Sequence, residues 1–400
     1  MLRDQFIICD SNIPWHHNRY SKHHLMSRLA RENDVVFVNP QVDALKYARE
    51  HGWSQTRFGA RFSYPEGEKL EVFQSLAVPR RGSAQTLLKL DERFLCRQLR
   101  GIIRRHGGRP PILFIGNPWN VFLLDAFPES PCTIYHCSDD FPALFGGNLG
   151  KQIAEREARL VPRVDLVLCS HPRLVEKCQG LGGRVHYLQH GVDERLLLPS
   201  GDHRPEPPPS DIKALPRPLV GFVGSLDATV DFALLGEVVR LLPDLQFVFI
   251  GQSDNEHREA VQTLAEQPNV HWLGQKPWNE LSGYLWAFDV GLIPFAQTEF
   301  TAAGSPLKLF EYLAAGLPVV STRLHFDDAL LPLVRIGETP TEFAEQIRSA
   351  VGEAGVSDTR WERRTAVATQ YTWDKRVQEI ADLMAMKLAA GREGASDEIR

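Results

Sequence analysis

The 400-residue sequence lacks any apolar run close to the ~20 residues that a membrane-spanning helix needs. Its opening residues, MLRDQFIICD, also lack the basic start and long apolar core of a secretory signal peptide, because Asp4 follows at once and the apolar run is over by Asp10. Both absences predict a cytoplasmic protein. With 43% hydrophobic and 24% charged residues, the composition also excludes a disordered or fibrous chain.

Cysteine is sparse, and its spacing contains no C-x-x-C pair and no pattern typical of zinc ligands. The six cysteines are Cys9, Cys96, Cys132, Cys137, Cys169 and Cys178. Most of them stand in or beside apolar runs, where a free cysteine behaves as a small core residue. The sequence therefore predicts free thiols in a reducing compartment, with neither a metal site nor a disulfide framework.

The sequence also lacks a large excess of either charge, since 45 Lys and Arg nearly balance 50 Asp and Glu for a net charge of −5. This balance excludes a whole-chain nucleic-acid binder. One segment differs: residues 80–109 carry nine basic residues against two acids, with apolar residues at helical spacing. A basic amphipathic helix of this kind suits the anionic inner leaflet of a membrane, or packs on a sheet with a basic face in solvent. Because no aromatic platform accompanies the arginines, nucleic acid is not predicted as a partner.

Short apolar runs alternate with helix-period stretches along the chain, from QFIIC at 5–9 to PVVST at 318–322. Most runs are continuously apolar, as expected for strands buried on both faces of a parallel sheet. The sequence predicts two doubly wound α/β domains. The predicted ranges are an N-terminal domain at 1–200, a proline-rich linker at 201–218, a C-terminal domain at 219–371, a helix at 372–390 packing back toward the N-terminal domain, and a flexible tail at 391–400.

The segment from Phe295 to Thr322 is the most informative part of the C-terminal domain. Ser305 and Pro306 are a helix-start signal, with Ser305 as N-cap, while Gly316 and Pro318 mark the end of that helix. Lys308 and Glu311 are the only charged residues between Thr301 and Thr322. A helix N-terminus with a lysine in its first turn suits a phosphate, and a carboxylate on nearly the same face suits sugar hydroxyls. The alternative is a surface ion pair at i, i+3.

The run SPLKLFEYLAAGLPVVST resembles the donor-site signature of GT-B glycosyltransferases in the retaining "group 1" superfamily, most closely the bacterial surface-polysaccharide branch with the teichuronic-acid type enzymes. Further runs support it in order, namely GFVGSLDATVDFALL, FVFIGQ, NVHWLGQKPWNEL and FDVGLIPF. The resemblance implies two Rossmann-like domains facing a central cleft. It also implies transfer of a sugar from a nucleotide-diphosphate donor to a carbohydrate acceptor, lipid-linked in this branch, with retention and with neither a metal nor another cofactor.

The resemblance also implies roles for individual residues. Glu311 would bind the ribose, Lys308 the diphosphate, and both are catalytic candidates together with Asp139. The donor-binding candidates are Gly224, Ser225, Gln275, Lys276, Thr301, Gly304, Ser305, Lys308 and Glu311. Two departures from the family pattern stand out: Ala303 replaces a frequent second glutamate, and no basic residue follows the Gly224 turn.

The N-terminal domain is expected to hold the acceptor. Asp139 and Asp140 directly follow a predicted strand, where a functional carboxylate would lie, although an aspartate before Phe-Pro also caps a turn. The further acceptor-side candidates, Trp15, His16 and Arg19, follow the first strand. Two other functions remain open: a catalytically silent GT-B-like subunit that binds nucleotide, and a sugar-nucleotide epimerase.

Overall fold

The computed structural model describes residues 2–15, 19–51, 62–63, 69–77, 85–197, 207–353 and 359–397. It divides into two compact units, of which the first comprises Met1–Leu188 with Arg376–Arg400 and the second comprises Gln189–Lys375. No helix among these described residues is long and apolar enough to cross a bilayer.

The first unit is built around a sheet of short, buried strands. Their ranges are β1 Phe6–Asp10, β2 Asp34–Asp43, β3 Phe62–Ser63, β4 Leu70–Ala77, β5 Ile112–Ile115, β6 Thr133–Cys137, β7 Leu166–Cys169 and β8 Val185–Tyr187. Within the described residues the strand order is β3-β4-β2-β1-β5-β6-β7-β8. The short β3 is antiparallel to β4, and the other neighbours are parallel.

Helices connect these parallel strands. Their ranges are α1 Ser21–Leu29, α2 Ala44–His51, α3 Gln85–Arg105, α4 Leu123–Ala126, α5 Phe141–Phe145, α6 Gly147–Leu160 and α7 Pro172–Gly180. The apolar face of α3 is buried through Leu95, Leu99 and Ile102. The segment that suggested a basic amphipathic helix therefore packs its apolar side into the unit.

The second unit has the same plan in a fully parallel sheet. Its strands are β9 Leu219–Val223, β10 Gln246–Ile250, β11 Val270–Trp272, β12 Val290–Ile293, β13 Val319–Ser321 and β14 Val334–Ile336, in the order β11-β10-β9-β12-β13-β14. Its helices are α8 Phe232–Leu241, α9 Arg258–Ala265, α10 Leu281–Ala287, α11 Glu299–Ala302, α12 Leu307–Ala314, α13 Pro340–Glu353 and α14 Thr359–Ala368. Two hydrophobic clusters fill this unit around its sheet. The predicted pair of parallel-sheet α/β domains is confirmed.

The last helix, α15 Trp373–Asp397, is longer than predicted. It continues through most of the segment 391–400 that the sequence suggests to be a polar tail. The run GREGASD contains Arg, Glu and Ala, which sustain a helix despite the two glycines. Residues of this helix from Arg376 onward belong to the first unit.

Candidate functional site

The sheet of the second unit reverses its winding between β9 and β12, which are neighbours in the sheet but not in the chain. In open α/β sheets, ligands bind outside the carboxyl ends of the strands at such a point. Gly224 and Ser225 follow β9 there, and the loop after β12 leads through α11 into α12. The predicted donor residues on these segments are therefore placed where this fold binds ligands.

Helix α12 is held in place by its buried side. The hydroxyl of Tyr312 accepts a hydrogen bond of 3.0 Å from the backbone N–H of Val223. Just beyond the C-terminal end of the helix, the guanidinium of Arg364 donates to the carbonyl of Gly316 at 2.8 Å, and Gly316 has a φ of +71°. The helix ends at Ala314, and Gly316 and Pro318 follow it as the sequence predicts, because glycine adopts this conformation without strain. These contacts fix α12 against the end of β9.

The start of α12 differs from the prediction. The helix begins at Leu307, so Pro306 is the N-cap rather than the first helical residue, and Ser305 lies one position before it. Pro306 has an extended backbone with ψ of 119°, which delays the first helical turn, and it offers no side-chain oxygen to cap the helix. The expectation that Ser305 caps the helix is therefore wrong.

Lys308 lies in the first turn of α12 with its ammonium between two aromatic rings. Its Nζ is 5.0 Å from the ring centre of Phe222 and 4.4 Å from that of Phe295. Among the described residues, no carboxylate lies within ion-pair distance of this ammonium, and no hydrogen bond engages it. Burial lowers the pKa of Lys308 to about 8, against a weaker opposing effect of Glu311 and Asp227. A partly buried ammonium without an anion is costly, so this site is suited to an anionic ligand.

Glu311 lies one turn further along the same helix, and it too makes no side-chain hydrogen bond or ion pair with any described residue. Burial raises the pKa of its carboxyl, the charge of Lys308 lowers it, and the nearby Asp193 raises it. The predicted alternative, a surface ion pair between Lys308 and Glu311, is not formed. Both groups are instead available to a ligand that offers an anion and hydroxyls.

Gly224 makes the close approach between the β9 turn and Lys308 possible. Its φ is +150°, and a methyl group added there would lie 3.1 Å from both Cε and Nζ of Lys308. We expect Gly224→Ala to destabilise the protein by about 1–3 kcal/mol through backbone strain. If this turn lies beside a bound nucleotide, as the resemblance implies, the substitution should also weaken nucleotide binding about tenfold, because the ammonium is displaced from a charge-assisted contact. Urea unfolding and calorimetric titration measure the two effects.

Gly236 in α8 supplies the matched control, since a methyl group added there meets no atom within 4 Å. Gly236→Ala should stabilise the helix by about 0.5–1 kcal/mol and leave nucleotide binding unchanged. Equal nucleotide affinity in the Gly224→Ala variant and the wild type would contradict the role given to the turn.

The other predicted donor residues have mixed surroundings. Ser225 and Gln275 are exposed, and the side chain of Gln275 accepts a hydrogen bond from Gln252. The ammonium of Lys276 pairs with Asp211 at 2.7 Å, and this hydrogen bond raises the pKa of Lys276. Lys276 lines a groove of roughly 700 Å³ together with Tyr284.

Two further donor candidates lie between β12 and α12, with Thr301 in the short helix α11 and Gly304 just after it. The hydroxyl of Thr301 donates to the carbonyl of Ala296 at 2.5 Å and accepts from the N–H of Thr298. Thr301 therefore stabilises the start of α11. Gly304 donates its N–H to the carbonyl of Thr301 at 3.1 Å and leads into the half-buried Ser305.

In the first unit the winding reverses between β1 and β5, and charged side chains are buried there. Asp10 ends β1; its Oδ1 accepts from Asn120 at 2.8 Å, while its Oδ2 is buried without a hydrogen-bond partner. Burial raises the pKa of Asp10 to about 7. The sequence contains no signal that singles out Asp10, because a carboxylate at that position only marks the end of the strand.

Lys22 of α1 is buried at the same place, with 2% of its surface exposed. Its Nζ donates to the hydroxyl of Ser138 at 3.4 Å, and burial lowers its pKa. Gly116, which follows β5, leaves room for the Lys22 side chain because it has no side chain of its own. A methyl group there would lie 2.2 Å from Cε of Lys22. In the sequence Lys22 resembled one polar residue of an amphipathic helix, so no local signal identified it.

The predicted acceptor-side aspartates separate in the structure. Asp139 accepts a hydrogen bond of 2.8 Å from Ser138 and is electrostatically coupled to Lys22. Asp140 is the N-cap residue of α5 without making a capping hydrogen bond, and its carboxylate pairs with Lys177 at 3.2 Å. Only Asp139 therefore joins the buried group formed by Asp10 and Lys22.

Trp15 and Arg19 lie in the segment between β1 and α1. The Trp15 ring packs edge-on against His23 and Phe37, each with 4.9 Å between ring centres. The guanidinium carbon of Arg19 lies 5.0 Å from the Trp15 ring centre. His16 lies outside the described residues.

Comparison with known proteins bears on both units. Residues 217–353, which lie within the second unit, match the family model of glycosyl transferases group 1. The chain is also 29% identical over 262 residues to TuaH of Bacillus subtilis (strain 168), which carries the name of a teichuronic acid biosynthesis glycosyltransferase. That match covers 62% of this chain and 65% of the relative, slightly less than two thirds of its length. The predicted resemblance is confirmed, and neither alternative function is favoured.

Solved structures show the same fold at low sequence identity. Sucrose-phosphate synthase from Thermosynechococcus elongatus is 15% identical with a TM-score of 0.74, covering 96% of this chain and 100% of its own. HepE of Anabaena in complex with UDP-glucose is 14% identical with a TM-score of 0.65, covering 96% and 100%. Trehalose-6-phosphate synthase OtsA is 11% identical with a TM-score of 0.67, covering 95% of this chain and 99% of its own. The predicted GT-B fold is confirmed.

Proposed function

We propose that this chain is a glycosyltransferase that moves a sugar from a nucleoside-diphosphate sugar to a carbohydrate acceptor in bacterial surface polysaccharide or glycolipid synthesis. The observation that carries the proposal is the pair Lys308 and Glu311, one helical turn apart at the switch point of a group 1 domain and without partners among the described residues. The structures of Anabaena HepE in complex with UDP and with UDP-glucose support a nucleotide-sugar donor, with uridine the first base to test.

In this proposal the second unit binds the donor. The ammonium of Lys308 and the first N–H groups of α12 contact the diphosphate, while the carboxylate of Glu311 accepts hydrogen bonds from ribose hydroxyls. Negative charge grows on the diphosphate as the bond to the sugar breaks. Preorganised positive charge at that point stabilises the transition state more than the bound substrate.

The first unit binds the acceptor in the same proposal. Asp10, Lys22 and Asp139 offer an unpartnered carboxylate oxygen, an ammonium and a second carboxylate at the carboxyl edge of the sheet. The carboxylates can accept hydrogen bonds from sugar hydroxyls, and the ammonium can donate hydrogen bonds to them. Trp15 supplies an adjacent aromatic face.

Retention of configuration and chemistry without a metal ion are part of the proposal. They rest on the resemblance to the group 1 superfamily, and Lys308 supplies the cationic charge that a metal ion supplies in other enzymes.

A turnover assay tests the function. Purified protein is incubated with a panel of UDP-, GDP-, ADP- and dTDP-sugars, with and without a lipid extract of surface-polysaccharide-producing bacteria, and nucleotide release and sugar products are measured. The proposal expects release of nucleoside diphosphate with label transferred into the extract. Conversion of the sugar nucleotide to its epimer without acceptor would identify an epimerase. Nucleotide binding without turnover would identify a silent subunit.

We further propose that α3 contacts the anionic inner leaflet of the membrane. Arg93, Arg97 and Arg104 are exposed along one side of α3 and make no ion pair with any described residue. Arg80 and Arg81, also in the basic segment, lie outside the described residues. Because the apolar face of α3 is buried, this contact is electrostatic and needs no insertion into the bilayer.

We expect the triple variant Arg93→Gln, Arg97→Gln, Arg104→Gln to lose about 10²-fold in binding to vesicles containing phosphatidylglycerol, since each charge contributes about 1 kcal/mol. The control variant Lys213→Gln, Arg240→Gln, Arg258→Gln removes three exposed charges from the second unit. Vesicle co-sedimentation at low salt measures both variants. An equal loss of vesicle binding in the α3 variant and the control variant, or no loss in the α3 variant, would exclude α3 as the membrane contact.

A further inference from the structure

Three of the six cysteines converge inside the first unit. Cys137 and Cys169 end β6 and β7 and are paired in the parallel register, so their side chains lie on the same face of the sheet. Cys178 reaches them from α7, the helix that follows β7. All three are fully buried, and their sulfur atoms lie within 4.8 Å of one another.

A buried carboxylate completes the group. Oε1 of Glu157, from α6, lies 3.6 Å from the sulfur of Cys137. The same oxygen accepts a hydrogen bond of 2.6 Å from the hydroxyl of Tyr135, and Oε2 pairs with the ammonium of Lys177 at 2.9 Å. Glu157 is thus oriented toward the sulfurs and linked to a positive charge.

We propose that Cys137, Cys169, Cys178 and Glu157 form a binding site for a zinc ion. With Zn–S bonds of about 2.3 Å, tetrahedral coordination places sulfurs about 3.8 Å apart, so the three sulfurs need to approach each other by at most about 1 Å. A carboxylate oxygen is a regular fourth ligand of zinc. Lys177 offsets part of the negative charge of three thiolates and a carboxylate.

Binding releases protons and involves no redox step. Three S–H bonds break, three Zn–S bonds form, and the three protons pass to the solvent, while Glu157 contributes its carboxylate oxygen. Because all four ligands come from the protein, the site is closed and structural, so it is compatible with sugar transfer that needs no metal.

The site would fix the segment that carries the acceptor-side residues. Cys137 is followed directly by Ser138 and Asp139, so a metal there would tie this strand end to β7, α6 and α7. The ligand spacing of 32 and 9 residues resembles no zinc motif, and the group forms only when the parallel register and α7 bring the three sulfurs together. This explains why the sequence predicts no metal site.

Metal analysis of the untagged, full-length protein tests the proposal. Wild type, Cys178→Ala and Cys132→Ala are purified from zinc-supplemented cultures without chelators, and zinc is measured by mass spectrometry. Cys132 is an equally buried cysteine outside the group. We expect about one equivalent of zinc in wild type and Cys132→Ala, and almost none in Cys178→Ala.

A second measurement does not depend on the folding of any variant. Metal-free, reduced wild type is titrated with Cd²⁺, and the ultraviolet absorption of thiolate–metal bonds is followed. We expect saturation at about one equivalent. Absence of bound zinc in wild type together with absence of this absorption would overturn the proposal. Equal zinc in wild type and a folded Cys178→Ala variant would overturn it as well.

Discussion

Replacement of Lys308 by methionine is expected to reduce sugar transfer about 10²- to 10³-fold, because the departing diphosphate loses its cationic partner. The same change should leave the free energy of unfolding unchanged or higher. The ammonium of Lys308 is partly buried and makes no ion pair with a described residue, and methionine has a similar shape without a charge to desolvate. Steady-state kinetics and urea unfolding on the same preparations measure both effects.

The pH dependence of this lysine supplies a further test of the same variant series. Below pH 8 the ammonium is charged in the folded protein, so nucleotide affinity should fall as the pH rises through about 8. In Lys308→Arg the affinity should stay level across this range, because the guanidinium keeps its proton. Between about 8 and the ordinary value of 10.5, the unfolded chain holds a proton that the folded chain has lost, so wild-type stability relative to Lys308→Met rises with pH.

Transfer of sugar by Lys308→Met at the wild-type rate would contradict the role of Lys308 as the cationic partner of the departing diphosphate. A large loss of stability in that variant would also contradict the account, since it would mean that the ammonium is satisfied within the protein.

The second large effect is expected at Lys22 of the first unit. Lys22→Met should lower the acceptor-dependent kcat/KM about 10- to 100-fold, the size expected for the loss of one hydrogen bond to a charged group. Binding of the nucleoside diphosphate should not change, because the proposed donor residues belong to the second unit. Kinetics with varied lipid extract and calorimetry with nucleotide separate these two quantities. Weakened nucleotide binding with an unchanged acceptor response would contradict the assignment.

Asp10 should make the proposed acceptor site of the first unit depend on pH. Its pKa of about 7 means that acceptor-dependent activity should fall as the pH drops through 7, since a protonated carboxyl accepts hydrogen bonds less well. Between its ordinary value of 3.8 and about 7, the folded chain holds a proton that the unfolded chain has lost. Wild-type stability relative to Asp10→Asn should therefore decrease as the pH rises through this interval.

The fold and helix α12 could be predicted because their signals are local. Strands such as β9 and β10 are continuously apolar, and α12 has proline before it, glycine after it and only two charged residues within it. The start of α12 was wrong by one residue, because the backbone conformation of Pro306 cannot be inferred from residue type alone. Strand β14 was missed, since Val334–Ile336 is too short to show a period.

The buried groups of the first unit could not be predicted, because their members are far apart in the sequence. Asp10 and Lys22 are ordinary residues in their own segments. They form a buried charged group only because β1, β5 and β6 lie side by side in the sheet. Asp139 and Asp140 are adjacent in sequence, yet Asp139 interacts electrostatically with Lys22 whereas Asp140 forms an ion pair with Lys177. Strand register and helix orientation decide such partners.

We expect the first turns of α12 to bind a nucleoside diphosphate. Thermal unfolding of wild type and Glu311→Ala with UDP, GDP, ADP and dTDP tests this directly. One nucleotide should stabilise wild type by about 2.7 kcal/mol at a hundredfold excess over its dissociation constant, and the variant should lose that gain. Stabilisation of wild type by none of the four, or equal stabilisation of the variant, would contradict it.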